Sequence, residues 1–242
     1  MRMRDEIYSQ PHTQVDDFTF DNSVVEVFPD MIQRSVPGYA TIVSTIGKLC
    51  EQFHQANSNI YDLGCSLGAA TLSMRKSVTK ENCKIIGIDN SQAMIDRCRL
   101  HIKAYMSDVP VSIELGDIQT HSLENASVVV MNFTMQFIEP EHRAQLVKKI
   151  YDSLLPGGIL IVSEKIRWQD SKINDAINNL HLDFKRANGY SELEISQKRS
   201  AIENVMKIDT EQMHIERLAA AGFKQHSIWF QCFNFASFIA IK

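Results

Sequence analysis

The chain has 242 residues, of which 44% are hydrophobic and 22% are charged, and this composition is typical of a globular protein with a full core rather than a disordered or fibrous one. Its 25 Lys and Arg residues against 29 Asp and Glu residues give a formal net charge of -4, which excludes an overall basic field for binding nucleic acid. Because no apolar run reaches the roughly 20 residues that cross a bilayer, and the start of the chain is polar where a signal peptide would be apolar, we expect a cytoplasmic protein with no membrane contact.

Short β-branched runs alternate with amphipathic stretches from about residue 40 onward. The runs that predict strands are, in chain order, Asn59–Leu63, 83–89, 111–114, 127–133 and 159–164. Helical patterns lie between most of them, and the clearest spans 91–105, where Asn90 or Ser91 can cap the N-terminus. This alternation predicts an α/β fold with a mostly parallel sheet.

Proline and glycine punctuate the second half of the chain. The sequence Leu-Pro-Gly-Gly at 155–158 is expected to stop a helix over 145–154 and to lead into the fifth strand, because proline cannot continue a helix. Two further β-rich runs, Gln225–Cys232 and Phe235–Ile241, are joined by a tight connection and predict a terminal antiparallel hairpin.

Two segments stand outside this alternating pattern. One is the N-terminal stretch over 1–39, and the other is a charged, helical-looking insertion over 169–207. Since no repeat and no Pro/Gly/Ser-rich linker divides the chain, we predict one domain over 1–242.

A glycine loop follows the first predicted strand. Residues 61–70 read Tyr-Asp-Leu-Gly-Cys-Ser-Leu-Gly-Ala-Ala, and glycines at such a strand-to-helix turn let the backbone pass close to a ligand. Asp89 ends the second strand, where a carboxylate can accept hydrogen bonds from both hydroxyls of a ribose. Asp117 follows the third strand, either to bind an adenine amino group or as a turn aspartate. Asn132 closes the fourth strand at the ligand-binding edge of the sheet.

Several interpretations of this loop compete. A nicotinamide site needs G-x-G-x-x-G, but Ser66 stands at the second glycine position and the third spacing is wrong. The loop also matches G-x-S-x-G with Ser66 as a hydrolase nucleophile, yet nothing upstream supplies an oxyanion hole. A plain tight turn without function is the remaining alternative. Asp62, Asp89 and the terminal hairpin together favour S-adenosylmethionine (SAM) binding by a Rossmann-like methyltransferase.

The cysteines and histidines predict no metal site. The five cysteines are scattered and never spaced as C-x-x-C, so we expect reduced thiols rather than disulfides or a zinc knuckle. Cys98 and His101 share a helix face, but two ligands make an incomplete site. Cys65 lacks a neighbouring histidine, so we interpret it as a small residue in a crowded turn rather than a nucleophile.

Longer strings resemble the carboxy-S-adenosylmethionine synthase family. They cover 27–39, 61–70 and 183–200, and the resemblance extends over nearly the whole chain. It implies a Rossmann-like class I SAM-dependent methyltransferase fold, with a mostly parallel seven-stranded sheet and a C-terminal antiparallel hairpin. It also implies an enzyme, a transferase that turns SAM and prephenate into carboxy-SAM and phenylpyruvate. Its product would supply a separate carboxymethyltransferase that modifies the wobble uridine of tRNA, and the enzyme would be a homodimer without direct nucleic-acid contact.

The resemblance also assigns the site. It places Tyr39, Gly64, Cys65 and Ser66 at the amino-acid end of SAM, Asp89 and Asn90 at the ribose, Asp117 and Ile118 at the adenine, and Asn132 near the sulfonium. Arg199 would be the catalytic residue that holds the transferred carboxylate, as suits a planar guanidinium, although Lys198 and Arg199 alone would fit a solvated helix face. The segments over 1–39 and 169–207 would complete the second-substrate site. A conventional small-molecule methyltransferase and a non-catalytic SAM-binding partner are the alternatives.

Overall fold

The computed structural model describes residues 3–12 and 15–242, so residues 1–2 and 13–14 of the predicted N-terminal segment lie outside the described residues. The helices are α1 (Asn22–Ser35), α2 (Tyr39–Phe53), α3 (Ala69–Arg75), α4 (Gln92–Ala104), α5 (Pro140–Ser153), α6 (Ser171–Ala187), α7 (Glu192–Ile202) and α8 (Glu211–Ala221). The strands are β1 (Asn59–Leu63), β2 (Lys84–Asp89), β3 (Val111–Leu115), β4 (Ala126–Asn132), β5 (Leu154–Arg167), β6 (Asp209–Thr210), β7 (Gln225–Cys232) and β8 (Phe235–Ile241). A 3-10 turn follows β4 at Met135–Phe137. Among the helices of these ranges, none is long and apolar enough to span a membrane.

One sheet organises the fold. Its strand order is β3-β2-β1-β4-β5-β8-β7, and the short β6 pairs with β5 outside this path. Strands β1 to β5 run parallel, while β8 runs antiparallel to both β5 and β7. The predicted seven-stranded, mostly parallel sheet with a C-terminal hairpin is therefore confirmed. The strand order reverses beside β1, and open α/β sheets bind ligands at such a reversal.

Two apolar layers cover the sheet. Ile42 and Ile46 of α2 pack with Val128 and Val130 of β4 on one face. On the other face, α5 and α8 pack against alternate residues of the same strands, including Met131. The central strands are buried on both faces, which explains why they are nearly continuous β-branched runs rather than alternating ones.

The junction of α5 and β5 differs from the prediction. The helix begins at Pro140 rather than 145, because its polar first turn hides the start from the apolar period. The helix ends at Ser153, within one residue of the predicted stop, but residues 155–158 are not a turn between the elements, since β5 already begins at Leu154. The backbone there pairs with the end of the chain: Gly157 N donates to Lys242 O and Lys242 N donates to Gly158 O. Gly157 has a φ of +78°, so the glycine serves a distorted strand start.

Each of the two segments outside the alternating pattern contains helices, and the segments pack on each other. Residues 22–35 form α1 and residues 171–202 contain α6 and α7. Polar contacts join them to the first residues of the chain: Lys198 lies 3.3 Å from Asp5, whose carboxylate also accepts from the Tyr190 hydroxyl. The Arg34 guanidinium stacks 3.9 Å from the centre of the Tyr190 ring. Residues 3–12 are thereby fixed against α7.

Candidate functional site

A cavity of about 1990 Å³ opens at the carboxyl ends of the parallel strands. Residues of α1, α6 and α7 line its other side. All ten residues predicted for the site line this cavity: Tyr39, Gly64, Cys65, Ser66, Asp89, Asn90, Asp117, Ile118, Asn132 and Arg199. The fold thus brings together residues that are spread over 160 positions, while the role of each remains a prediction.

The glycine loop is held tightly between β2 and the turn after β4. Gly64 N and Cys65 N both donate to Ile88 O, at 2.8 and 3.0 Å. Gly64 has a φ of +80°, and a Cβ there would lie 2.3 Å from Thr134 Oγ1. Only glycine therefore fits this position, for both its backbone conformation and its surroundings.

Asp89 links the loop to the next helix. Its Oδ2 accepts from Ser66 N at 2.8 Å, and its Oδ1 accepts from Ser91 N at 2.9 Å. Burial raises the pKa of Asp89, and the backbone donors oppose that effect. Each carboxylate oxygen retains a second lone pair, so the group can still accept hydrogen bonds from a ligand. Asn90, next in the chain, is exposed at the cavity.

Asp62 lies beneath the loop and anchors α3. It is 1% exposed, and it accepts a hydrogen bond of 2.5 Å from Thr71 Oγ1. Burial raises its pKa to about 6. Burial also raises the pKa of the Tyr39 phenol, and the nearby Asp62 charge adds to that shift. With Asp89 and Asp117, this residue gives one side of the cavity three carboxyl groups.

Asp117 and Ile118 form the turn after β3. Asp117 Oδ1 accepts from Gln119 N at 2.8 Å, which is the turn role that the sequence left open. The side chain is nevertheless exposed at the cavity, and Ile118 beside it is buried. The turn role and the proposed contact with adenine are compatible in this geometry.

Glu164 was not identified from the sequence, yet it holds the turn that directly follows Asn132. It is 1% exposed and accepts from the backbone N–H groups of Thr134, Met135 and Gln136, at 3.2, 2.7 and 3.1 Å. Burial raises its pKa to about 8, against the effect of these donors. An acid at the end of an otherwise apolar strand was the signal that could have identified it. Asn132 Oδ1 is buried with no hydrogen-bond partner in the described chain, so a donor on a ligand would satisfy it.

Four basic residues of the cavity lining form a further group, and the sequence revealed only Arg199 of this group. Lys165 of β5 and Lys185 of α6 line the cavity with Lys198 and Arg199 of α7. Burial, together with the Arg199 charge, lowers the pKa of Lys165 to about 8. Burial and three neighbouring cations lower the pKa of Lys185 to about 7. Lys198 differs from these two because it forms the ion pair with Asp5. We call the four residues the basic wall.

The cysteine geometry agrees with a structural role for Cys65. Its thiol is buried, and a hydrogen bond with Cys98 and burial raise its pKa well above the usual range. A thiol that stays protonated is a poor nucleophile. In residues 3–12 and 15–242 all five cysteines are free, and no three His, Cys, Asp or Glu side chains group as metal ligands. The absence of a metal remains a prediction.

Comparison with known proteins now decides the family. A family profile described as a methyltransferase domain matches residues 60–158. The carboxy-S-adenosyl-L-methionine synthase of Colwellia psychrerythraea is 62% identical over 238 residues, which cover 98% of both chains. That of Shewanella piezotolerans is 59% identical over 239 residues, covering 99% of this chain and 98% of the relative. The chain belongs to the carboxy-S-adenosyl-L-methionine synthase family.

Membership of this family confirms the predicted enzyme class, a transferase with SAM as substrate and carboxy-SAM as product. Solved structures confirm the fold. Human N-acetylserotonin methyltransferase in complex with SAM superposes with a TM-score of 0.59 at 16% identity, over 91% of this chain and 55% of that one. The central sheet is therefore that of a SAM-dependent methyltransferase.

Proposed function

We propose that this carboxy-SAM synthase takes the carboxyl group from prephenate and releases phenylpyruvate. The observation that carries the proposal is that Asp62, Asp89 and Asp117 lie together on an acidic side of the cavity, while the basic wall lies in another part of it. Asp175 and Glu203 are the acids that line the helical part of the same cavity. SAM bears a sulfonium and an ammonium, whereas prephenate bears two carboxylates. A site for both needs opposite charges on opposite sides, because each side stabilises the ligand of opposite charge.

Two features support SAM at the acidic side. The loop at Gly64 is packed against Thr134, which holds its backbone in one conformation beside the cavity, and a fixed glycine turn suits close approach of a ligand. Asn132 Oδ1 has no donor among the described residues, and an amide oxygen without a partner suits the positive charge of a sulfonium. We assign Tyr39 and residues 64–66 to the amino-acid end, Asp89 and Asn90 to the ribose, and Asp117 and Ile118 to the adenine. Asn132 would lie near the sulfonium.

The reaction needs no dedicated protein base. The sulfonium acidifies the protons of the adjacent methyl group, and loss of one proton leaves a nucleophilic ylide carbon. Prephenate becomes aromatic by losing CO2 and hydroxide; the hydroxide takes the methyl proton to give water, and the ylide carbon bonds to CO2. The protein then contributes positioning and exclusion of water. Arg199 binds the new carboxylate on the product.

The segments over 1–39 and 169–207 complete the second-substrate site within a single domain. Support comes from α1, α6 and α7, which line the cavity opposite the strands. We also propose a homodimer, because Ile173 and Leu180, two turns apart on α6, are 50% and 46% exposed in the single chain. The product would pass to a carboxymethyltransferase that modifies the wobble uridine of tRNA. This division of labour agrees with the net charge of -4.

The test is to incubate the purified protein with SAM and prephenate labelled with ¹³C in the ring carboxylate. We expect labelled carboxy-SAM and unlabelled phenylpyruvate by mass spectrometry. Accumulation of S-adenosylhomocysteine would identify a conventional methyltransferase instead, and SAM binding without turnover would identify a non-catalytic SAM-binding protein. Sedimentation of the same sample measures whether the chain is a dimer.

A further inference from the structure

Within the described part of the chain, two lysines of the basic wall have no partner for their charge. Lys165 lies near the carboxyl end of β5 and Lys185 in the last turn of α6, and both line the cavity with Arg199. Throughout residues 3–12 and 15–242, neither ammonium group has a carboxylate at ion-pair distance or a hydrogen-bond acceptor. Both side chains are partly shielded from solvent.

Three other shielded lysines of this chain, Lys149, Lys198 and Lys242, have partners for their ammonium groups. The Lys149 ammonium donates to the carbonyls of Ile118, Gln119 and His121 at 2.8 to 2.9 Å. Lys242 donates to the carbonyls of Tyr151 and Leu154 at 2.7 Å, and Lys198 pairs with Asp5. Among the described residues, the half-buried lysines whose ammonium groups have no partner are Lys165, Lys185 and Lys207, and all three line the cavity.

The surroundings of these two lysines are also cationic. Lys185 faces Lys165, Lys198, Arg199 and the buried His181, whose own pKa is lowered to about 3 by burial and by these lysines. Lys165 faces Arg199. Gathering like charges in a shielded space is unfavourable unless an anion joins them. An anionic ligand bound here would relieve this repulsion.

We propose, resting on the proposed function, that Lys165 and Lys185 bind the carboxylate groups of prephenate. SAM carries a single carboxylate beside its ammonium, and the carboxyl groups of Asp62, Asp89 and Asp117 line its side of the cavity. Prephenate carries two carboxylates, and the one that stays on phenylpyruvate gives the lysines an anion throughout the transfer. Arg199 can then bind the other carboxylate, the one that is transferred to SAM.

The experiment measures prephenate and SAM separately in Lys165→Met and Lys185→Met. Loss of one charge-assisted hydrogen bond raises the KM for prephenate about tenfold to a hundredfold in each variant. The Kd for SAM, measured by calorimetry without prephenate, stays within about twofold, which also shows that each variant is folded. Lys172→Met is the matched control, because Lys172 is an exposed lysine of the same helix α6 that does not line the cavity.

Two results would overturn the assignment. A raised Kd for SAM with an unchanged KM for prephenate would show that the lysines bind the carboxylate of SAM instead. Unchanged values for both ligands would show that the lysines bind neither. If wild-type protein makes no carboxy-SAM from prephenate, the proposed function fails; calorimetry of prephenate with SAM-loaded wild type and variants would then still test the lysines on their own.

Discussion

The two sides of the cavity are built in different ways. The acidic side is made from strand ends and one loop, and its key carboxylate, Asp89, is oriented by hydrogen bonds of 2.8 and 2.9 Å to backbone N–H groups. The basic wall is made from long side chains on three elements, and Lys165, Lys185 and Arg199 have no internal anion among the described residues. Hydrogen bonds within the protein therefore orient the carboxylate of the acidic side before any ligand binds. Three of the four cations of the basic wall have no such internal partner in the described part of the chain.

This difference indicates what each side can discriminate. Fixed backbone and carboxylate positions recognise the shape of a nucleoside. Flexible ammonium groups recognise charge with less demand on shape, while the guanidinium of Arg199 adds a planar, directional contact. Changes to the acidic side should therefore alter SAM binding, and changes to the basic wall should alter the use of the second substrate. The predictions below test that separation.

The largest effect is expected for Arg199→Ala. Removal of the guanidinium leaves the transferred carboxylate without its bidentate partner, so carboxy-SAM formation should fall by about a hundredfold or more. SAM binding should be retained, because Arg199 lies on the basic wall. Product formation by mass spectrometry and the Kd for SAM provide the two measurements. Arg186→Ala, an exposed arginine of α6 paired with Asp183 and Glu192, is the control; unchanged turnover in Arg199→Ala would refute its role.

Gly64→Ala should damage the acidic side through the backbone. The methyl group would clash with Thr134, and the residue would have to keep a φ of +80°, so we expect a loss of about 2–3 kcal/mol in the free energy of unfolding. Chemical denaturation measures this loss. Gly116→Ala is the control because its Cβ would meet no atom closer than 3.8 Å and it is not at positive φ. Equal stability of the two variants would contradict the tight packing of the loop.

Asp89→Asn should raise the Kd for SAM about tenfold, and the variant should still fold. An amide oxygen still accepts one backbone N–H, but the negative charge and one acceptor position are lost. Asp96→Asn, an exposed aspartate of α4, should leave the Kd for SAM unchanged. Calorimetry at constant pH distinguishes the two variants. If Asp89→Asn instead alters only the KM for prephenate, the two sides of the cavity are assigned the wrong way round.

A smaller, pH-dependent effect should appear at the basic wall. The pKa of Lys185 is about 7 and that of Lys165 is about 8, so both ammonium groups lose protons as the pH rises from 6.5 to 9. Prephenate binding should weaken several-fold over this interval, while Arg199 remains charged. A bound dianion favours the protonated lysines, so binding at pH 8 should take up protons. Calorimetry in buffers of different ionisation enthalpy measures this uptake, which Lys185→Met should reduce.

The sequence predicted the acidic side better than the basic wall, and the reason is physical. Gly64, Ser66 and Asp89 lie in or beside strand ends, where local patterns fix which residues face a ligand. Lys165 and Lys185 lie on separate elements, and only tertiary packing brings them to Arg199. In a charged helix such as α6, the sequence pattern does not distinguish a lysine that faces solvent from one, like Lys185, that faces a cavity.

Fold prediction shows the same division. The parallel strands and the hairpin followed from β-branched runs and their spacing, whereas α1 was not recognised as a helix because Pro29 lies inside it. The start of α5 was hidden by a polar first turn. Local sequence patterns thus sufficed to predict the sheet. They failed for α1 and for the start of α5, where a proline or a polar turn masked the helical pattern.

The contact of Asp5 with Lys198 joins residues 193 positions apart. During synthesis the chain emerges from its N-terminus, so Asp5 must wait until α7 has left the ribosome before this ion pair can form. The strands β1 to β4 and their glycine loop need far less of the chain and can pair earlier. Synthesis from the N-terminus therefore favours assembly of the acidic side first. The basic wall is completed last.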